Sequence, residues 1–145
     1  MNYYKIAIIG LGSIGSRHLL NISYYLTERN ISYTIDLVRS NKGRDINEDL
    51  NKFINSIYYS YEEVPNDYDV ILITNPTNLH YDTVKTYASK TKHMFIEKPV
   101  FDDPNKSIDD LMLKKDGIYY VACPLRYTDV IQHLKNDVDF KRVYS

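Results

Sequence analysis

The feature that most constrains this chain is Gly10-Leu11-Gly12-Ser13-Ile14-Gly15, three glycines in G-x-G-x-x-G spacing directly behind the β-rich run Tyr4 to Ile9. Beyond it Gly15, Leu19, Ile22 and Leu26 recur at helical spacing, so the apolar period changes from strand to helix across the glycines. Gly10 permits a tight turn, Gly12 leaves the backbone open to a phosphate, and Gly15 lets the helix pack closely on the strand. The amides of Ser13, Ile14 and Gly15 then open the helix as free donors, where a diphosphate bridge binds. A turn serving only to join strand and helix is the plainer reading, but its place at the head of a βαβ pattern favours dinucleotide binding. The segment lacks the Lys-Ser/Thr pair that holds terminal phosphates and Mg²⁺, which excludes a P-loop hydrolase.

The rest of the chain repeats the alternation. Ile31 to Val38 reads as a second strand, polar Asn41 to Arg44 as a loop, and Ile46, Leu50, Phe53 and Ile54 as the apolar face of a short helix. Ile57 to Tyr59 makes a brief third strand, and Asp69 to Thr74 is the apolar run of a strand covered on both faces. Thr77 is placed to cap a helix with His80, Val84, Tyr87 and Ala88 inward. A strand over His93 to Glu97, a helix over Asp109 to Lys115, a strand over Ile118 to Cys123 and a helix over Asp129 to Asn136 follow. Phe140 to Ser145 alternates apolar and polar like a strand with one wet face. This order predicts an α/β fold, a Rossmann-type doubly wound parallel sheet. Its expected extent is residues 1–136, with 137–145 opening a further domain.

Composition narrows the function. A chain of 145 residues, 43% apolar, suits one globular unit. A net charge of −1 from intermixed acids and bases provides no field for nucleic acid. No apolar run approaches the roughly 20 residues of a membrane span and no leader pattern opens the chain, so a cytoplasmic protein is expected. The one cysteine, Cys123, excludes an internal disulfide and a cysteine-based zinc site; it reads as a small buried hydrophobe without chemistry, and no metal is expected. The 15 tyrosines read as compositional bias.

The choice of cofactor is expected to lie at the end of the second strand, where a carboxylate would bond an adenosine ribose 2′-hydroxyl. Here the place reads Val38-Arg39-Ser40, and Asp36 lies too far back within the strand. An arginine pairs with a 2′-phosphate and a serine can donate to it, which favours NADP over NAD. Lys42 or Arg44 could substitute for Arg39, and a plain surface charge is the alternative.

Thr74-Asn75-Pro76-Thr77-Asn78-Leu79-His80 after the fourth strand and Glu97-Lys98-Pro99 after the fifth, joined to the glycine turn, resemble the Gfo/Idh/MocA oxidoreductases. The resemblance covers essentially the whole chain in the right order; Asn75 between Thr74 and Pro76 departs from the commonest form. It implies a dehydrogenase in which Lys98 lies beside the nicotinamide and the reacting carbinol carbon, donating to the substrate oxygen. Glu97 then orients the lysine or meets the cofactor, Thr74, Asn75 and Pro76 meet the ring side, and Arg126 in Pro124-Leu125-Arg126-Tyr127 is a further candidate contact. His80 is either a cofactor contact or a hydrogen-bonded core residue, and His18 reads as structural.

The resemblance also implies a carbohydrate-like substrate, oxidised or reduced at a secondary hydroxyl or keto group of a sugar, sugar nucleotide or cyclitol. It implies a second, α+β domain that carries further catalytic residues and, in the full-length protein, supports a homo-oligomer. That domain is expected to be absent here, leaving a chain that binds a dinucleotide with little or no turnover. The competing expectation is a non-catalytic dinucleotide-binding or sensor module.

Overall fold

The computed structural model describes residues 3–40 and 45–136. Strands β1 (Tyr3–Ile9), β2 (Ser32–Val38), β3 (Ser56–Tyr58), β4 (Tyr68–Ile73), β5 (Thr91–Ile96) and β6 (Tyr119–Val121) form one sheet in the order β3-β2-β1-β4-β5-β6. Every pairing is parallel. Helices α1 (Ser13–Glu28), α2 (Glu48–Asn51), α3 (His80–Tyr87) and α4 (Asp129–Asn136) complete the described elements, with single 3₁₀ turns between them. Because β1 pairs with both β2 and β4, the winding reverses at that point. The carboxyl ends of β1 and β4 flank the crevice where such sheets take ligands.

Period-two alternation divides the core. Ile6, Ile8, Ile35 and Leu72 pack with Leu19 and Leu26 of α1 on one face. Ala7, Ile9, Ile71, Ile73, Met94 and Ile96 pack with Val84 and Tyr87 of α3 on the other. Both faces of the central strands are buried, hence the unbroken apolar run of β4.

Several expected elements are corrected. The Asp109 to Lys115 helix is one 3₁₀ turn, Asp109–Leu111, because Met112 takes a left-handed φ of 51° and turns the chain toward β6. Thr77 caps nothing with its side chain; Thr77–Leu79 is itself a 3₁₀ turn behind Pro76 that feeds α3. The second helix keeps four residues, capped by Asn47, whose side chain accepts from the Asp49 amide at 2.9 Å. Cys123 is exposed, since β6 ends at Val121 and the chain turns outward at Pro124. The loop Asn41 to Arg44 and the expected strand Phe140 to Ser145 lie outside the described residues.

A polar knot sits within this apolar frame. Asp36 of β2 is 1% exposed. Its carboxylate accepts from Asn55 Nδ2 at 2.8 Å and from the Tyr68 hydroxyl at 2.7 Å. Burial first, and then this bond to a carboxylate, push the Tyr68 phenol above its ordinary ionisation range. An ionised carboxylate with few partners is costly in a core, so each donor matters. Tyr68→Phe is therefore expected to lower the unfolding free energy by about 1–3 kcal/mol, read by urea titration. The Ser23 hydroxyl, buried in α1, has no hydrogen-bond partner among the described residues. Ser23→Ala should be neutral or raise stability by up to about 1 kcal/mol, since it removes an unsatisfied group.

Candidate functional site

The three glycines of the first turn have different physical reasons. Gly10 has φ +91°, and a Cβ there would meet the Asn75 backbone at 3.0 Å. At Gly15 a Cβ would fall 2.4 Å from Gly10 O and 2.8 Å from Thr74 Oγ1, so only a glycine lets α1 close onto the strand ends. Gly12 has an ordinary extended backbone, and a Cβ there meets nothing within 4 Å. Packing does not require glycine at that position; the space is open toward the crevice.

No side chain caps α1, and its first turn holds no acidic residue. The opening amides, Ser13 to Gly15, thus keep their donor capacity and the positive end of the helix dipole. Thr74 pins the neighbouring strand end: its amide donates to Ile9 O at 3.0 Å, and its hydroxyl lies 3.0 Å from Ile9 O and 2.9 Å from Gly10 O. Thr74 is 5% exposed, so this staple braces the wall of the cleft.

A cleft of about 1130 Å³ opens above these strand ends. Gly10, Gly12, Ser13 and Ile14 line one flank and Arg39 with Ser40 the end beside β2. Thr74, Asn75, Pro76 and His80 line the middle, and Glu97 with Lys98 the far side. Gly15 lies beneath this lining as a packing contact, and Arg126 lies outside it, with its guanidinium 5.6 Å from the Tyr120 ring. Asp36 is shut within its knot, and among the described residues the lining at the β2 end, beside Arg39, carries no carboxylate.

His80 is 1% exposed, and both ring nitrogens face backbone carbonyls: Nε2 is 2.8 Å from Asn75 O and Nδ1 3.0 Å from Pro99 O. It ties the loop after β4 to the loop after β5, a brace rather than an open ligand contact. Asn75 Nδ2 donates to Thr83 Oγ1 at 2.8 Å, while its buried Oδ1 has no partner among the described residues.

The structure adds residues that local spacing missed. Arg17 and His18, one helical turn into α1, both line the cleft. His18, expected to be structural, is 2.7 Å from Glu97 Oε1. Tyr59, Tyr61, Tyr87, Tyr120 and Tyr127 also line it. Tyr61 is held by the buried Lys90, whose ammonium lies 4.0 Å from its ring and donates to Val64 O at 2.6 Å. The Tyr120 and Tyr127 hydroxyls are 2.6 Å apart, and that bond raises the Tyr120 phenol's ionisation range.

The parallel 3-2-1-4-5-6 sheet, its glycine turn and the cleft at the reversal of winding define a nucleotide-binding domain of the Rossmann type. Residues 4–122 match the Gfo/Idh/MocA model, described as an oxidoreductase family with an NAD-binding Rossmann fold, and the chain belongs to that family. A myo-inositol 2-dehydrogenase of Thermotoga maritima is 30% identical over 140 residues, covering 93% of this chain and 40% of that protein. A probable dehydrogenase of known structure from Thermotoga maritima superposes with a TM-score of 0.70 at 25% identity, covering 96% of this chain and 42% of its own. The apo scyllo-inositol dehydrogenase of Lactobacillus casei shares the fold at a TM-score of 0.70 and 19% identity, over 98% of this chain and 43% of its own. The chain thus spans 40–43% of the length of these relatives. Among the described residues no helix is long and apolar enough to cross a membrane.

The glycines generate a contrast. Gly15→Ala drives a methyl against backbone and is expected to destabilise the fold by about 1–3 kcal/mol. Gly12→Ala enters open space and should cost under about 1 kcal/mol, the difference between these residues at a helix N-cap. Thermal unfolding of the two variants checks the order.

Proposed function

We propose that the chain is the nucleotide-binding part of an NAD(P)-dependent dehydrogenase that oxidises or reduces a secondary hydroxyl or keto group of a cyclitol, sugar or sugar nucleotide. One observation carries this reading. A single cleft runs from the uncapped amides beside Gly12 to Lys98, whose ammonium has no hydrogen-bond or ion-pair partner among the described residues. The fit is chemical as well as spatial: among the described residues the lining carries the cations Arg17, Arg39 and Lys98 against one carboxylate, Glu97, which is engaged by His18.

In this reading the amides of Ser13, Ile14 and Gly15 take the diphosphate, with Gly10 and Gly12 keeping side chains out of its way. Arg39 and Ser40 take an adenosine 2′-phosphate, which favours NADP over NAD. Thr74, Asn75 and Pro76 form the wall beside the nicotinamide, and Glu97 holds the backbone at Lys98. The bound cofactor supplies hydride transfer to or from the carbinol carbon. Lys98 is the catalytic residue: in reduction its ammonium donates to the substrate oxygen, stabilises the charge that builds there and gives up a proton to it, and in oxidation the neutral amine accepts the hydroxyl proton. The substrate class draws on the inositol dehydrogenases among the similar proteins. Because those proteins are more than twice as long, turnover is proposed for a longer protein and cofactor binding for this chain.

Calorimetry tests the reading. NADPH is expected to bind more tightly than NADH, and Arg39→Ala to weaken NADPH by about tenfold with little effect on NADH, the loss of one charge-assisted contact. Clearly tighter NADH binding by the parent chain would refute the NADP assignment. Gly12→Ala, though folded, should abolish binding of both, because its methyl occupies the diphosphate's approach.

A further inference from the structure

The cleft's two ends are joined by a contact that neither glycine turn nor Glu-Lys-Pro motif implies. His18 lies on α1, in the turn after the free amides, and its Nε2 meets Glu97 Oε1 at 2.7 Å across 79 residues of sequence. The other carboxylate oxygen, Oε2, accepts the backbone amide of Lys98 at 3.1 Å. Glu97 is thereby held at both oxygens, by a side chain from the phosphate-binding helix and by the backbone of the residue that carries the ammonium. Both side chains are largely screened from water, His18 at 20% exposure and Glu97 at 12%. The imidazole is fixed from a second direction by the Phe95 ring, edge-on at 5.0 Å. Phe95 belongs to β5, the strand that Glu97 directly follows. Its ring stacks on Tyr120 of β6 at 5.7 Å.

We propose that His18 is a positioning residue for Lys98, acting through Glu97 to fix the backbone from which the ammonium reaches into the cleft. This rests on the reading of Lys98 as the catalytic group. A hydrogen bond to a carboxylate needs a proton on Nε2, so the ring serves as donor and is not free to abstract a proton from that nitrogen. Without it, Glu97 Oε1 loses its partner in a half-closed site, and the carboxylate is free to rotate away from the Lys98 amide. The same helix therefore presents amides at one end of the cleft and steadies the opposite corner from its next turn.

The test compares His18→Leu, which removes the donor, with His18→Gln, whose amide nitrogen reaches about as far as Nε2. Two readouts are taken on the chain. One is binding of NADPH and NADH against ADP-ribose, which lacks the nicotinamide. The other is the ¹³C resonance of Lys98 after reductive methylation with labelled formaldehyde, assigned with Lys98→Arg.

His18→Leu is expected to shift the Lys98 resonance and weaken the preferred dinucleotide by about fivefold while leaving ADP-ribose within about twofold, the loss of a charge-assisted bond at one end only. His18→Gln should restore both readouts. Equal weakening of ADP-ribose would overturn the proposal, because His18 would then merely hold the helix. An unmoved Lys98 resonance in His18→Leu would overturn it as well. If the parent chain bound no nucleotide, the reading of the cleft would fail, and the resonance alone would still decide whether His18 governs Lys98.

Discussion

The approach of α1 to the ends of β1 and β4 sets the geometry on which the rest depends. At Gly15 there is no room for even a methyl group between the helix, Gly10 O and the Thr74 hydroxyl. That closeness fixes where the helix begins, and hence where its unpaired amides point. Gly10 makes the approach possible by taking a positive φ, and Thr74 holds it by bonding β4 to the backbone of the turn. The open space at Gly12 is the complement of that tight packing: one glycine is required by the protein's own atoms, and at the other a Cβ would meet none of them within 4 Å.

Parallel pairing then brings distant segments to one rim. All six strands send their carboxyl ends to the same side, so the loops after all of them share a cleft though they span more than a hundred residues of chain. These loops have little core of their own and are held by specific polar ties. His80 joins two of them through backbone carbonyls, His18 joins α1 to the end of β5, and Lys90 steadies the segment carrying Tyr61. Such ties place side chains by direction as well as distance, which burial of apolar area alone does not do.

The central strands were legible because burial on both faces writes an unbroken apolar run into β4, and the glycine turn because its spacing carries a steric logic. The sequence was less informative where the local signal competed with chain direction. Asp109 to Lys115 has helical spacing, yet Met112 reverses the chain to reach the sheet edge. Thr77 has the chemistry of a cap, but Pro76 starts a 3₁₀ turn that takes Thr77 into itself. Cys123 follows apolar residues and is exposed because β6 is only three residues long. Of the candidate site, the glycines, Arg39 and Ser40 could be found by spacing, and the two loop motifs only through the family resemblance. Arg17, His18 and the cleft tyrosines could not, since nothing next to them in the chain distinguishes them from other polar or aromatic surface residues.

By itself the sequence determined the alternation of strand and helix, the glycine turn, and the residues that end β1 and β2, because these follow from periodicity and backbone sterics within a few positions. Only the tertiary structure decided that Asp36 is closed off by Tyr68, that His80 braces backbone instead of facing outward, and that His18 reaches Glu97. The Asp36–Tyr68 and His18–Glu97 contacts depend on strand order and register across sequence separations of 32 and 79. No local pattern encodes them; they arise when the sheet assembles and brings the partners within hydrogen-bonding reach.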